Sequence, residues 1–493
     1  MMMSEKSGFL FTSIADIQAR LANGSLTPTE VAQWAIDVVE CLEPYVKAWV
    51  RFDAHQLMDH AKEVEAHLKF GQSLGSLTGI PVGIKDMMNT ADFPTEMGSP
   101  LWQGFTPGND ARVLFYLKQA GALVPGKTVT AEFAVHTLDK TLNPHDPTRT
   151  PGTSSSGSAA AVAAGMVPVA LGTQTAGSIV RPASFCGVYG CKPSFGLIPR
   201  TGMLKTTDSL DTVGFFVSHL VDMERVFDVV RVHGQNFPLS HAALRDEARQ
   251  NKPPGKPWRI AFVKPHVWDD AHPYAQEAMT GWVESLKNIP DVEVVEADLP
   301  SETLDSHRIH ATIYNKTLSY YFQEEFKKAE LVSPVMNDLI TQGQAISVEA
   351  YQQALKDQEA MAQVVDTWIQ DFDAVVTLST AGEAPLREDT ERPDSALLWN
   401  MTYLPVISAP TFIGPTGLPF GLQLVARRYN DYKLFKVASY FNTHGLLPDG
   451  VNPVAKIVKN IVGSGQGVIP AEATMAVCNA GAHTDMDTRG GTR

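Results

Sequence analysis

Residues 151–193, PGTSSSGSAAAVAAGMVPVALGTQTAGSIVRPASFCGVYGCKP, hold six serines, eight alanines and seven glycines in forty-three positions, with no acidic residue and no histidine. Their only charges are Arg181 and Lys192. A serine hydroxyl is a poor nucleophile until a base takes its proton. No histidine stands among these serines, but Lys85 lies 66 residues before Pro151 in the apolar run GIPVGIKDM. Serines on glycine-supported turns, with a lysine in an apolar setting, point to Ser–Lys nucleophilic chemistry rather than a Ser–His–Asp triad. Such a lysine acts as a base only when neutral. Lowering it from its ordinary value of about 10.4 to pH 7 costs about 4.6 kcal/mol, which burial and hydrogen bonding can supply. The loop TQTAGS ends in Ser178, and its small residues let several backbone N–H groups converge on one point. Ser154 and Ser155 precede a helix whose N-terminus carries partial positive charge. Spacing alone does not single out this set, because Gly/Ser/Ala runs also serve as flexible loops or tight helix packing.

The elements that must position these groups read as follows. Thr27, Pro28 and Glu30 form a capping-box start to a helix carrying Val31, Trp34, Val38 and Leu42. A second helix is expected over 54–70, and a third over 110–120, capped by Asp110 and closed by Gly121. Residues 122–124 read as a short buried strand, and a strand is expected to end just before Lys85. A buried helix of small residues is expected over 156–165, a strand over 167–171 and a loop over 172–177. Further on, strands at 259–263, 292–296, 374–378 and 420–425 alternate with helices near 274–287, 304–328, 348–372 and 431–441. This alternation predicts an α/β fold around a large, partly parallel sheet. Residues 237–257 are polar and proline-containing, as in a linker or insertion, and residues 463–493 read as a mobile tail.

Composition narrows the function classes. The chain has 493 residues, 44% hydrophobic and 19% charged, as in a soluble globular protein. A net charge of −14 argues against nucleic-acid or anionic-membrane binding, which need a basic face. Cys41, Cys186, Cys191 and Cys478 match neither a zinc pattern nor a disulfide scaffold. With no apolar leader and no membrane-length apolar run, the expected location is the cytoplasm.

Several other residues carry competing readings. GALVPGKT, residues 121–128, fits the P-loop pattern by letter, but a strand is expected inside it and Pro125 removes a donor. Arg181 could bind a substrate carboxylate or pair with an acid such as Glu132 or Asp211. Cys186, Cys191, Met87 and Met88 read first as core. His136 and His145 read as surface or loop histidines, and Asp86 as a positioning or structural acid.

PGTSSSGSAAAVAAG and ALGTQTAGSIVRPASFCGVYGCKPS resemble the signature region of the amidase signature family, and GIPVGIKDMMNT resembles its lysine segment. The similarity continues through DARVLFYLKQAGALVPGKT, SLDTVGFF, WNMTYLPVISAPT and GLPFGLQLVAR. It is weaker over about 230–373, expected to be a more variable helical insertion within a single amidase domain spanning 1–462. The resemblance implies a large twisted mixed β-sheet core covered by α-helices, and a Ser–cisSer–Lys triad. Matched residue by residue, Ser178 is the nucleophile, Ser154 the cis-serine, Lys85 the base and Ser155 a supporting group. The backbone N–H groups of Thr175, Ala176, Gly177 and Ser178 form the implied oxyanion hole. Thr153, Gln174 and Ala176 depart from the common pattern, and Arg181 falls three residues after the nucleophile, similar to malonamidase-type members. The implied activity is hydrolysis of a small-molecule amide through an acyl-enzyme, with no metal or organic cofactor and no nucleic-acid or membrane partner. A homodimer is left open. The alternatives are an esterase or carbamate hydrolase, a non-catalytic scaffold, and a glutaminase-type amidotransferase subunit.

Overall fold

Eleven strands form one sheet in the computed structural model, which describes residues 12–71, 73, 75–453 and 457. The tail expected at 463–493 lies outside the described residues. The strands are β1 (Trp49–Phe52), β2 (Val82–Lys85), β3 (Gly126–Thr128), β4 (Val169–Gln174), β5 (Tyr189–Lys192) and β6 (Thr212–Val217) in the first half. The second half adds β7 (Trp258–Phe262), β8 (Val292–Glu296), β9 (Ala374–Leu378), β10 (Val406–Ile413) and β11 (Pro419–Val425). Their order is β1-β3-β2-β4-β6-β5-β10-β11-β9-β7-β8. β2 runs parallel to β3 and β4 on one flank, and β7 parallel to β8 and β9 on the other. The centre, from β4 through β6, β5, β10 and β11 to β9, is antiparallel. The expected mixed sheet covered by helices is the fold found.

Strands covered on both faces carry continuous rather than alternating burial. Every residue of β2, β4, β6, β9 and β11 is buried. The helix Ser156–Ala163 lies against this sheet and is buried along its whole length. Its small side chains make that approach feasible. A methyl group at Gly157 would stand 2.3 Å from both the Ala48 carbonyl oxygen and the Val129 nitrogen. Ser158 Oγ lies 2.7 Å from Thr128 Oγ1 on β3 and donates to the Leu171 carbonyl on β4. Tight helix packing and the placement of Ser154 and Ser155 are therefore one feature.

Several boundaries differ from expectation. Residues 122–124 form no strand: Leu123 makes only an isolated bridge to Pro81, and β3 begins at Gly126. The helix expected to be capped by Asp110 spans Arg112–Gln119 behind Ala111, with no side-chain cap. The Asp110 carboxylate is taken by the Ala91 N–H and by Lys118. The long helix expected at 304–328 breaks after Tyr321 into the short helix Gln323–Phe326. The 237–257 stretch contains two short helices, Pro238–Arg245 and Glu247–Gln250. The segment 230–373 is not wholly helical, since it supplies β7 and β8 to the common sheet. The Thr27–Glu30 capping box is present as read. Among the described residues, no helix is long and apolar enough to cross a membrane.

Candidate active site

Lys85 is the last residue of β2 and is fully buried. Its Nζ reaches three hydroxyls: Ser154 Oγ at 2.7 Å, Thr173 Oγ1 at 2.8 Å and Ser155 Oγ at 3.0 Å. Among the described residues it forms no ion pair. Burial without a counter-ion drives the ammonium well below its ordinary value, opposed by the more remote charge of Asp211. Register explains the convergence. β2 and β4 run parallel, with Ile84 opposite Leu171, so Lys85 and Thr173 meet at the same end of adjacent strands. Ser155 is pinned from the other side, donating to the Thr173 carbonyl at 3.1 Å and accepting from the Thr173 N–H at 3.2 Å. Gly172 makes room, since a Cβ there would meet Ser155 Oγ at 3.0 Å and the Phe216 ring at 2.7 Å. The Thr153–Ser154 peptide bond is cis, and the Ser154 carbonyl accepts from the Ala131 N–H.

The loop after β4 carries the other expected residues. Gln174 Oε1 accepts from the N–H groups of Ile179 and Val180 at 2.9 and 3.0 Å, folding the loop back on itself. Between these anchors, the N–H groups of Thr175, Ala176, Gly177 and Ser178 donate to no acceptor among the described residues. Thr175 is held by three groups. Its carbonyl accepts from Asn400 Nδ2 at 2.7 Å and His310 Nε2 at 3.1 Å, and its hydroxyl donates to Asp211 at 2.8 Å. Burial pushes His310 down to about 4, so it is neutral at pH 7 and carries its proton on Nε2. Asp211 also accepts from the N–H groups and hydroxyls of Thr206 and Thr207. Ser178 is partly exposed at the end of the loop, and its hydroxyl has no hydrogen-bond partner among the described residues.

A cavity of about 830 Å³ opens against this loop and is bounded by Thr153, Ala176, Arg181, His310, Tyr314 and Glu391. Arg181 faces it, but its guanidinium is engaged by Asp394 through Nε at 2.9 Å and by Glu391 through Nη1 at 2.7 Å. These acids differ from the Glu132 and Asp211 weighed from sequence. Glu132 accepts from the Ser333 N–H instead, and Asp211 serves Thr175.

Most of the remaining candidates lie apart from the Lys85 cluster. Lys127, the P-loop-like lysine, is buried, pairs with Asp86 at 3.0 Å and donates to the Met88 carbonyl. Both groups therefore act as structure. His136 lines the cavity, whereas His145 Nε2 contacts the Cys186 carbonyl. Cys186 and Cys191 are buried free thiols, pushed up by burial. Met88 is core, but Met87 touches the cluster, its sulfur accepting from Thr173 Oγ1 at 3.0 Å. Sequence reasoning missed Thr173, Asn400 and His310. Thr173 stood inside the quoted loop and was separable only by strand register. Asn400 lies 225 residues from Thr175, and no local pattern links them.

The fold is that of amidase-type proteins. The Amidase family model matches residues 30–435, and the chain belongs to the amidase signature family. It is 28% identical over 494 residues to one of the subunits of the glutamyl-tRNA(Gln) amidotransferase from Heliobacterium modesticaldum, covering 89% of this chain and 99% of that protein. The corresponding protein of Trichodesmium erythraeum is 30% identical over 480 residues, with 86% and 96% covered. The native peptide amidase of Stenotrophomonas maltophilia superposes with a TM-score of 0.76 at 26% identity, over 90% of this chain and 99% of that one. A 6-aminohexanoate cyclic dimer hydrolase shares the fold at a TM-score of 0.75 and 22% identity, over 89% and 98%.

Proposed function

We propose that the protein is an amidohydrolase that cleaves a small carboxylic amide through an acyl-serine intermediate. The observation that carries this reading is the environment of Lys85: fully buried, bonded to three hydroxyls and paired with no carboxylate among the described residues. A lysine so placed is neutral and basic. In the reaction it takes the Ser178 proton through Ser154, and Ser178 Oγ attacks the amide carbonyl. The unclaimed N–H groups of residues 175–178 receive the oxyanion. The relay returns a proton to the leaving amine, and water then releases the acid. Ser155 and Thr173 position Lys85 and take no direct part in bond making. No step calls for a metal or organic cofactor. The proposed setting is the cytoplasm, with a small amide rather than a nucleic acid as partner.

Cleft charge bears on the substrate. Arg181, Arg387 and Arg392 face Asp389, Glu391 and Asp394 around the cavity, so its lining carries no net charge with the histidines neutral. Arg181 already satisfies two carboxylates. Both points favour a neutral amide over a carboxylate-bearing one. Purified protein should hydrolyse a panel of neutral primary and secondary amides, and Ser178→Ala should abolish that turnover; wild-type turnover in the variant would sink the mechanism.

The relatives named as amidotransferase subunits favour a second reading, in which the same acyl-serine chemistry serves a larger assembly. Copurification with a stable partner, together with turnover of glutamine only in its presence, would establish that reading instead.

A further inference from the structure

A second cavity, of about 640 Å³, lies behind the scaffold of the oxyanion loop, and three of its lining residues are Arg249, Arg427 and Arg428. The three differ in how they are held. Arg427 makes a bidentate pair with Asp366, donating from Nη2 to Oδ2 at 2.7 Å and from Nε to Oδ1 at 3.1 Å. Arg249 is tied to Asn430 Oδ1 at 2.6 Å and to the Arg428 carbonyl. The guanidinium of Arg428 donates to no acceptor among the described residues, and its Nε is buried without a partner. Its Cζ sits 4.9 Å from the Tyr403 ring centroid and 4.8 Å from that of Tyr429, so two aromatic rings flank the group. Both tyrosines hold a left-handed backbone, with φ of 66° and 65°. Such conformations are costly for bulky residues and concentrate at ligand sites.

We propose that this cavity is a binding site for a small organic anion, with Arg428 as its carboxylate- or phosphate-binding fork. The charges that face it are the three arginines against Asp366 and Glu359, which leaves one net positive charge. The Nη groups of this guanidinium also donate to no acceptor among the described residues, and a guanidinium edge matches either chemistry bidentately. Ser209, Gln358, Gln363 and Thr402 offer polar contacts to the body of the ligand, and the volume falls in the range of small-molecule sites. The site also touches the catalytic scaffold from behind. Gln358 Nε2 donates to the Met401 carbonyl at 3.1 Å, one residue beyond Asn400, and Ser209 lies two residues before Asp211. Asn400 and Asp211 are two of the three groups that hold Thr175.

Isothermal titration of the full chain with succinate and with inorganic phosphate, against chloride at matched ionic strength, tests the site. One saturable event is expected for at least one oxyanion, and the tighter of the two assigns the carboxylate or the phosphate class. R428Q should weaken it at least tenfold, and R428K, a point charge without the fork, several-fold. Ser178→Ala should bind as the wild type does. No saturable binding of either anion overturns the proposal, as does an unchanged affinity in folded R428Q. Should R428Q fail to fold, an unchanged affinity in R428K overturns it equally.

Discussion

In the proposed mechanism, Lys85 concentrates the chemistry of this chain at one atom. Its Nζ is surrounded by hydroxyls, and burial disfavours the ammonium. Turnover should therefore fall on the acid side as Lys85 gains its proton and level off above its depressed pKa. Lys85→Ala should lower kcat by about 10²–10⁴-fold, the range of general base catalysis, and remove that limb from the pH–rate profile. Stability follows the same linkage. Between the lowered folded value and the ordinary value of 10.5, the unfolded chain binds a proton that the folded chain refuses. This group therefore makes stability rise with pH across that window, and urea titrations of wild type and Lys85→Ala at several pH values should differ in slope accordingly. Thr173 refines the picture. Its hydroxyl accepts from Nζ and so favours the charged form, so Thr173→Val should move the acid limb to lower pH. A limb that moves upward would contradict the positioning role. The convergence of Lys85 with Ser154 and Ser155 was legible from residue type and resemblance, which also name Ser178 as the proposed nucleophile. Thr173 was not legible, because one more hydroxyl in a polar loop carries no signal until strand register places it.

At the scale of elements, small residues govern how closely the helix Ser156–Ala163 approaches the sheet. Gly157→Ala would press a methyl into the Ala48 carbonyl and the Val129 N–H. Overpacking of this kind costs about 1–3 kcal/mol, which thermal unfolding should register as a lowered Tm. The expected buried helix of small residues was readable because small side chains recurred around its whole circumference. The strands β5 and β6 were harder to read, since YGCK is short and TVGFFV has no period-two alternation to mark a sheet face. Burial on both faces erases that pattern. The helix Ala396–Met401 supplies Asn400 to the Thr175 carbonyl, with His310 as a second donor. Asn400→Ala should lower kcat about tenfold, close to 1.4 kcal/mol, while Ser178 remains reactive. Steady-state kinetics on a neutral amide checks it, and an unchanged kcat would show that His310 alone suffices to hold the loop.

Across the whole molecule, the sheet joins the two halves of the chain and the cleft draws on both. The serines and Lys85 come from the first half, whereas Glu391, Asp394 and Asn400 come from the second. Local sequence reading reaches the first set and not the second, which is why Glu391 and Asp394 are absent from the acids weighed for Arg181. Arg181 holds the chain near 391–394 against the helix Val180–Cys186. Arg181→Ala should leave Glu391 and Asp394 uncompensated and loosen this segment, visible as faster amide hydrogen exchange over about 387–394. Its effect on KM should be the same for carboxylate-bearing and neutral amides. A selective loss with carboxylate-bearing amides would return Arg181 to a substrate-binding role.

The most direct test of the central claim is the intact mass of the protein after treatment with a serine-reactive fluorophosphonate, on wild type and on Ser178→Ala. A Ser178 activated by buried Lys85 predicts one adduct on the wild type and none on the variant. An adduct of equal yield on Ser178→Ala, or none on the wild type, would contradict it.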